Sequence, residues 1–201
     1  MRDGFCLDGA SRMPTLNLQI GASGDDGNWA TDASYFDTSD AAIFIGNGLF
    51  HGWFLFTGIP SLAGATIDSA FLSLKGFTAD AGTALTKIYA NDVASPALPV
   101  SAADANSKVL TTAGVDWDSP GLVTSGFTNS PDIKAVIQEL ANSHELSSIL
   151  IIVKDDGGAE GNYMWPLSYD NAPADAGKLV INYTSSVLIP VLMNQYRQRW
   201  A

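Results

Sequence analysis

The chain has 201 residues, with ten Lys or Arg against 21 Asp or Glu, and a formal net charge of −11. Its length predicts one domain, and a hydrophobic content of 46% provides for a sizeable core and argues against wholesale disorder. The acidic balance argues against a nucleic-acid partner, because a surface that repels phosphates releases no counterions. The lack of an apolar run of about 18 residues argues against a membrane span.

The beginning of the chain is predicted to be an N-terminal arm, residues 1–14, that ends at Pro14. Residues 1–8 include no continuous apolar stretch, so no secretory signal is predicted. Cys6 is the single cysteine and has no partner for an internal disulfide. Together these features indicate a chain that matures in a reducing cytoplasm.

Apolar patterning predicts about eight strands between turn-rich segments. Residues 15–20 alternate strictly, as in a half-buried strand, and lead into a glycine- and aspartate-rich loop at 21–27. Residues 50–57 and 148–154 are too rich in apolar side chains for one face to be exposed, so they predict buried strands. The predicted strands are 15–20, 42–45, 50–57, 66–77, 85–90, 148–154, 162–167 and 178–183.

One helix interrupts the strands. Ser130 is predicted to be its N-cap and Pro131 its first residue, where a missing N–H costs nothing. An apolar stripe with helical spacing follows, formed by Ile133, Val136, Ile137 and Leu140. Many short strands, frequent turns and one interposed helix predict an all-β fold, an antiparallel β-sandwich over residues 15–184.

The composition changes after residue 184. All 21 acids precede this point, so residues 1–184 carry −13, whereas Arg197 and Arg199 give the remainder +2. Residues 185–201 are predicted to be a C-terminal docking arm that associates with copies of the chain or with other proteins, so a homo-oligomer is expected. Its apolar residues at roughly helical spacing are Ile189, Leu192, Met193, Tyr196 and Trp200.

Four segments resemble parts of jelly-roll modules that are related to carbohydrate-binding families. The first is 58–72 (GIPSLAGATIDSAFL), and the last is 168–183 (SYDNAPADAGKLVINY). Between them, VDW at 115–117 and SPDIKAVIQEL at 130–140 are similar to the stretch before the long central strand of these modules. The resemblance covers roughly residues 14–184 and implies a jelly-roll topology. Such modules occur in secreted multidomain bacterial proteins and in phage virion proteins.

The motifs of common enzyme classes are missing from the sequence. It has no G-x-S-x-G nucleophile elbow, P-loop, H-E-x-x-H or C-x-x-C. Its two histidines, His51 and His144, are predicted to be a strand residue and a helix-end residue. The acids lie mostly in turns, where Asp bonds its own backbone. We therefore predict that the chain is not an enzyme and uses no cofactor.

Pairs of aspartates in loops offer a structural calcium site. Calcium prefers several oxygen ligands, and carboxylates in loops supply them. The candidate ligands are Asp25, Asp26, Asp155, Asp156 and Asp170. None follows the EF-hand spacing, and use in turns and for solubility is the alternative interpretation.

Aromatic residues near turns offer a surface on which a sugar ring could stack. The candidate glycan-binding residues are Trp29, Tyr35, Trp53, Tyr163, Trp165 and Tyr169. Because aromatic side chains in strands often belong to the core, burial is the alternative interpretation for each.

Two functions of different classes follow. The first is a structural protein of a phage-like virion (capsid decoration, head or tail component) that assembles through its arms in the host cytoplasm and resides in the virion. Its partners would be other virion proteins or copies of itself. The alternative is an extracellular carbohydrate-binding module that recognises surface glycans.

Overall fold

The computed structural model describes residues 14–78, 82–119 and 121–185. Within these ranges the chain is mostly β and forms two antiparallel sheets, which agrees with the predicted all-β sandwich. Almost all of both predicted arms lies outside the described residues, including every docking residue: Ile189, Leu192, Met193, Tyr196 and Trp200.

The described residues form twelve strands and two α-helices. The strands are β1 (Thr15–Gln19), β2 (Asp26–Ala30), β3 (Phe36–Asp37), β4 (Ile45–Gly46), β5 (Phe50–Thr57), β6 (Thr66–Lys75), β7 (Thr86–Ala90), β8 (Val115–Asp116), β9 (Phe127–Asn129), β10 (Ser148–Asp155), β11 (Tyr163–Met164) and β12 (Lys178–Thr184). The helices are α1 (Ala102–Ser107) and α2 (Lys134–Ser143), with a 3-10 turn at Pro173–Asp175.

The smaller sheet has the strand order β1-β12-β6-β9. Strand β12 lies between two partners, with Leu179 opposite Leu18 on β1 and opposite Leu72 on β6. Leu72, Leu179 and Ile181 are fully buried, because alternation along each strand turns one side chain in two towards the core.

The larger sheet has the order β11-β4-β5-β10-β7-β8, and β2 also pairs with β5 and with β3. One face of β5 and β10 packs against the smaller sheet, for example through Phe54 and Ile151. The opposite face is also covered, in part by α1, and holds a second apolar cluster that includes Trp53 and Leu150. Burial on both faces explains why these two strands are continuous apolar runs.

Helix α2 closes the core with the predicted stripe, since Ile133, Val136, Ile137 and Leu140 are all fully buried. Its predicted start is wrong by several residues: the helix begins at Lys134, and Ser130 is not its N-cap. The Ser130 Oγ instead accepts a hydrogen bond from the Leu72 N–H at 3.1 Å, which ties this segment to β6.

Helix α1 was not predicted, so the expectation of a single helix is wrong for the described residues. It has six residues, too few for an apolar period to be visible, and it begins where the Ser101 Oγ accepts a hydrogen bond from the Asp104 N–H. No helix in the described ranges is long and apolar enough to cross a membrane.

Candidate functional site

A cavity of about 400 Å³ lies beside β2, β4 and β5. This volume falls within the range of about 300–1,000 Å³ that is typical of small-molecule sites. Five of its lining residues are aromatic, and two more carry polar side chains. The lining consists of Asn28, Tyr35, Asp40, Ala41, Ala42, Phe44, Phe50, Phe77 and Trp165.

The aromatic rings of the cavity hold one another in place. The Phe44 ring centroid lies 4.9 Å from that of Phe50, 4.6 Å from Tyr163 and 5.7 Å from Trp165. Phe77 also belongs to this cluster, since its ring centroid lies 5.6 Å from that of Trp165. Most of these pairs are tilted or edge-to-face, the arrangements that aromatic quadrupoles favour. The cluster is therefore a rigid apolar wall that needs no ligand to order it.

A short polar loop positions Tyr35 at the rim. The Tyr35 hydroxyl donates a hydrogen bond to Asp40, and its ring meets Phe50 edge-on with centroids 5.8 Å apart. The Asp37 Oδ1 accepts hydrogen bonds from the N–H groups of Ser39 and Asp40, both at 2.6 Å, which fixes the loop. Burial, followed by the contact with Asp40, raises the pKa of the Tyr35 phenol well above its usual value. The phenol thus keeps its proton and directs it to Asp40.

Strand β2 places two polar side chains under this wall. Asn28, which lines the cavity, and Asp26 are each 1% exposed and lie two residues apart, so they share one face of the strand. Asn28 Oδ1 and Asp26 Oδ1 have no hydrogen-bond partner among the described residues. A buried oxygen without a donor costs about 1–3 kcal/mol, and such groups in native structures call for an explanation.

Asp26 also ties β2 to the turn after β11. Its Oδ2 accepts a hydrogen bond from the Tyr169 N–H at 2.9 Å. Burial raises the pKa of Asp26 to about 7, the Tyr169 N–H opposes this shift, and the charges of Asp170 and Asp25 add to it. Asp26 is therefore largely protonated in mildly acidic solution.

The structure brings together only part of the predicted glycan-binding set. Tyr35 and Trp165 line the cavity, and Tyr163 contacts it through Phe44. Tyr169 lies apart from the lining and packs against the main core.

The prediction is wrong for Trp29 and Trp53, which are 1% and 0% exposed and belong to the second apolar cluster. Their positions on β2 and β5 point to the outer face of the sheet, which other groups cover. Phe36 stacks on Trp53 with centroids 5.3 Å apart, and the Trp29 Nε1–H donates to Asn106 in α1 at 2.9 Å. Neither ring can reach a ligand in the cavity.

Five residues of the site were not predicted from the sequence. Phe44 and Phe50 flank the Gly-Asn-Gly turn between β4 and β5, a signal that could have placed them together at one sheet end. Asn28, Asp40 and Phe77 follow no motif, and only the folded arrangement shows their common location.

The five candidate calcium ligands do not form one site. Asp25, Asp26 and Asp170 lie near the start of β2, where both neighbours act on the pKa of Asp26. Asp155 is instead the last residue of β10, with Asp156 next to it in the chain. Its carboxylate accepts hydrogen bonds from the Gly48 and Gly157 N–H groups at 3.0 and 3.1 Å. No group of three or more His, Cys, Asp or Glu in the described part of the chain could hold a metal ion.

Both histidines occupy the predicted positions, in β5 and at the end of α2. His51 is buried, its Nδ1 accepts a hydrogen bond from the Asp155 N–H at 2.9 Å, and its Nε2 contacts the Thr31 hydroxyl. Burial, with a smaller contribution from Lys154, lowers the pKa of His51 to about 4. A neutral ring with both nitrogens engaged is a structural component of the sheet.

Comparison with known proteins gives no relatives from which a role could be transferred. No protein-family model matches the chain, and no curated protein matches its sequence.

Proposed function

We propose that this chain is a non-enzymatic binding protein, a β-sandwich that takes a saccharide in the aromatic cavity. The observation that carries the proposal is the combination, in one cavity of about 400 Å³, of an aromatic wall with the polar side chains of Tyr35 and Asp40 at its rim. Apolar pockets with a few placed polar groups are the usual form of small-molecule sites.

A saccharide fits both parts of this lining. The C–H face of a pyranose ring is apolar and can pack on the faces of Trp165 or Phe44, while its hydroxyls donate hydrogen bonds at the ring edge. A hydroxyl at the ring edge can donate to the Asp40 carboxylate in the lining. A purely apolar ligand would not use Asp40.

We further infer that the sandwich has the jelly-roll topology that the resemblance implies. The order of the strands supports this: the chain passes from β1 in the smaller sheet to β2–β5 in the larger, and then alternates between the sheets through β6, β7–β8, β9, β10–β11 and β12. Repeated crossing between two antiparallel sheets is typical of Greek-key and jelly-roll sandwiches.

Calorimetric titration with neutral, amino and acidic oligosaccharides tests the proposed binding. Trp165→Ala should weaken any binding by about tenfold or more, because the ring face that meets the sugar is lost. Tyr89→Ala is the matched control, since Tyr89 is a half-buried aromatic residue of β7 that is not part of the cavity lining. The proposal would be overturned if no oligosaccharide of the panel bound the unmodified protein with a dissociation constant below about 1 mM.

A structural role in a phage-like virion is the second candidate, either as a capsid decoration or as a head or tail component. Its support is that β12 ends at Thr184 already paired on both sides, with β1 and β6, before the apolar and basic segment 185–201. That segment would then be available for docking, with Trp200 and Tyr196 as aromatic anchors.

Sedimentation velocity of the full chain and of a chain lacking residues 186–201 tests this second candidate. We expect the full chain to self-associate and the shortened chain to be a folded monomer. Trp200→Ala should weaken association by about 2 kcal/mol, which is in the hot-spot range. Two identical monomeric profiles would contradict assembly through copies of this segment.

A further inference from the structure

We propose that the cavity selects glycans that carry a free, protonated amino group over neutral and acidic glycans; this inference rests on the proposed saccharide binding. The polar groups of the cavity and the sign of the charge around it both favour a cationic ligand.

Two polar groups at the rim of the cavity, Tyr35 and Asp40, are arranged to accept hydrogen bonds from a ligand. The Asp40 carboxylate lies in the lining and, when ionised, can only accept. The Tyr35 hydroxyl directs its proton to Asp40, so towards a ligand it offers lone pairs. A ligand that meets Tyr35 and Asp40 must therefore bring donors, and an ammonium group brings three.

The charge around the cavity is negative. No Lys, Arg or His lines the cavity within the described residues, whereas Asp40 is part of the lining and Asp37 is bonded to the same loop. Tyr35 lies close enough to both aspartates for their charges to raise the pKa of its phenol further. A uronate, sialate or sulfate would meet this charge without a compensating cation.

The aromatic wall strengthens the preference for a cation. The faces of Tyr, Phe and Trp carry negative potential, and a cation within about 6 Å of a ring centroid is attracted to them. A neutral hydroxyl at the same position gains little from these faces. An amino sugar thus uses the rings both for packing and for charge, whereas an uncharged sugar uses them for packing alone.

Three tetrasaccharides that differ only at carbon 2 of each ring separate these possibilities. Cellotetraose carries a hydroxyl there, N-acetyl-chitotetraose an acetamide, and chitosan tetraose a free amine. Titrated into the full chain in mildly acidic buffer at low salt, chitosan tetraose should bind about tenfold or more tightly than either of the others. Its affinity should fall as salt is added.

Asp40→Asn provides the matched variant, because it keeps an oxygen that can accept from the Tyr35 hydroxyl but removes the charge. It should reduce the preference for chitosan tetraose over cellotetraose severalfold. Glu145→Gln, an exposed acid after α2, is the control and should leave this preference unchanged.

The outcomes distinguish the two proposals. Equal or tighter binding of cellotetraose or N-acetyl-chitotetraose, lost in Trp165→Ala, would overturn the amine preference and leave the saccharide site standing. An amine preference that Asp40→Asn does not change would overturn the proposal that this cavity selects the amine, since the selecting charge would then lie elsewhere. Failure of all three, and of the wider panel, to bind would overturn both proposals.

Discussion

Replacement of the buried Asp26 by Asn should change how the stability of this protein depends on pH. The Asp26 carboxyl is 1% exposed, and its Oδ1 has no partner in the part of the chain that the structure describes. In the folded state its pKa is raised to about 7 from 3.8, chiefly by burial. Asn is nearly isosteric, retains an oxygen that can accept from the Tyr169 N–H, and carries no charge at any pH.

The sign of the effect follows from proton binding. Between pH 4 and pH 7 the folded protein holds a proton on Asp26 that the unfolded chain releases, so this group favours folding most at low pH. Its contribution is fully present below pH about 4 and is lost as the pH rises through about 7. The pKa of Asp26 differs by about three units between the folded and unfolded states, and each unit corresponds to about 1.4 kcal/mol. The contribution of Asp26 to the free energy of unfolding is therefore at most about 4 kcal/mol.

Urea unfolding of the unmodified protein and of Asp26→Asn, measured from pH 4 to pH 8, checks this prediction. The two free energies of unfolding should be similar near pH 4, and the variant should gain stability relative to the unmodified protein by up to about 4 kcal/mol at pH 8. Asp156→Asn, which removes an exposed carboxylate, should show no such trend. A difference between Asp26→Asn and the unmodified protein that stays constant across this range would refute the reasoning.

Two further substitutions test the packing. Val136→Asp should unfold the domain because it places an unpaired charge in the buried stripe of α2, whereas Lys134→Asp, on the exposed side, should be tolerated; equal melting temperatures would show that the helix is packed differently. Gly27→Ala should destabilise by about 1–3 kcal/mol, since a Cβ there would lie 2.3 Å from the Trp53 ring, while Gly126→Ala, with open space around it, should cost little in the same thermal melts.

The sequence predicts best the strands in which burial alone determines the pattern of apolar residues. In β1, β6 and β12 one face is buried, so the alternation is visible, and in β5 and β10 both faces are covered, so the apolar run is continuous. β2 was predicted in part as a loop because Asp, Gly and Asn favour turns, but pairing with β5 from Asp26 to Ala30 overrides that local preference.

The site was harder to predict for a physical reason. Trp29 lies in the short strand β2, and Trp165 directly follows the short strand β11. The sequence around them does not show which face of the sheet is covered by other parts of the chain. Coverage of Trp29 depends on α1, some 70 residues away in the chain, through the bond to Asn106. The polar residues of the cavity are separated in the same way, since Asn28 belongs to β2 and Asp40 to a loop.

The central claim, that a saccharide occupies the aromatic cavity, is tested most directly by NMR. In spectra of the ¹⁵N-labelled full chain, the indole signals of Trp165 and Trp53 and the side-chain amide of Asn28 report on two faces of the same sheet. Addition of chitosan tetraose should shift the Trp165 and Asn28 signals along one binding curve and leave Trp53, buried on the outer face, unchanged. Unchanged Trp165 and Asn28 signals at a ligand concentration that saturates binding would contradict the account.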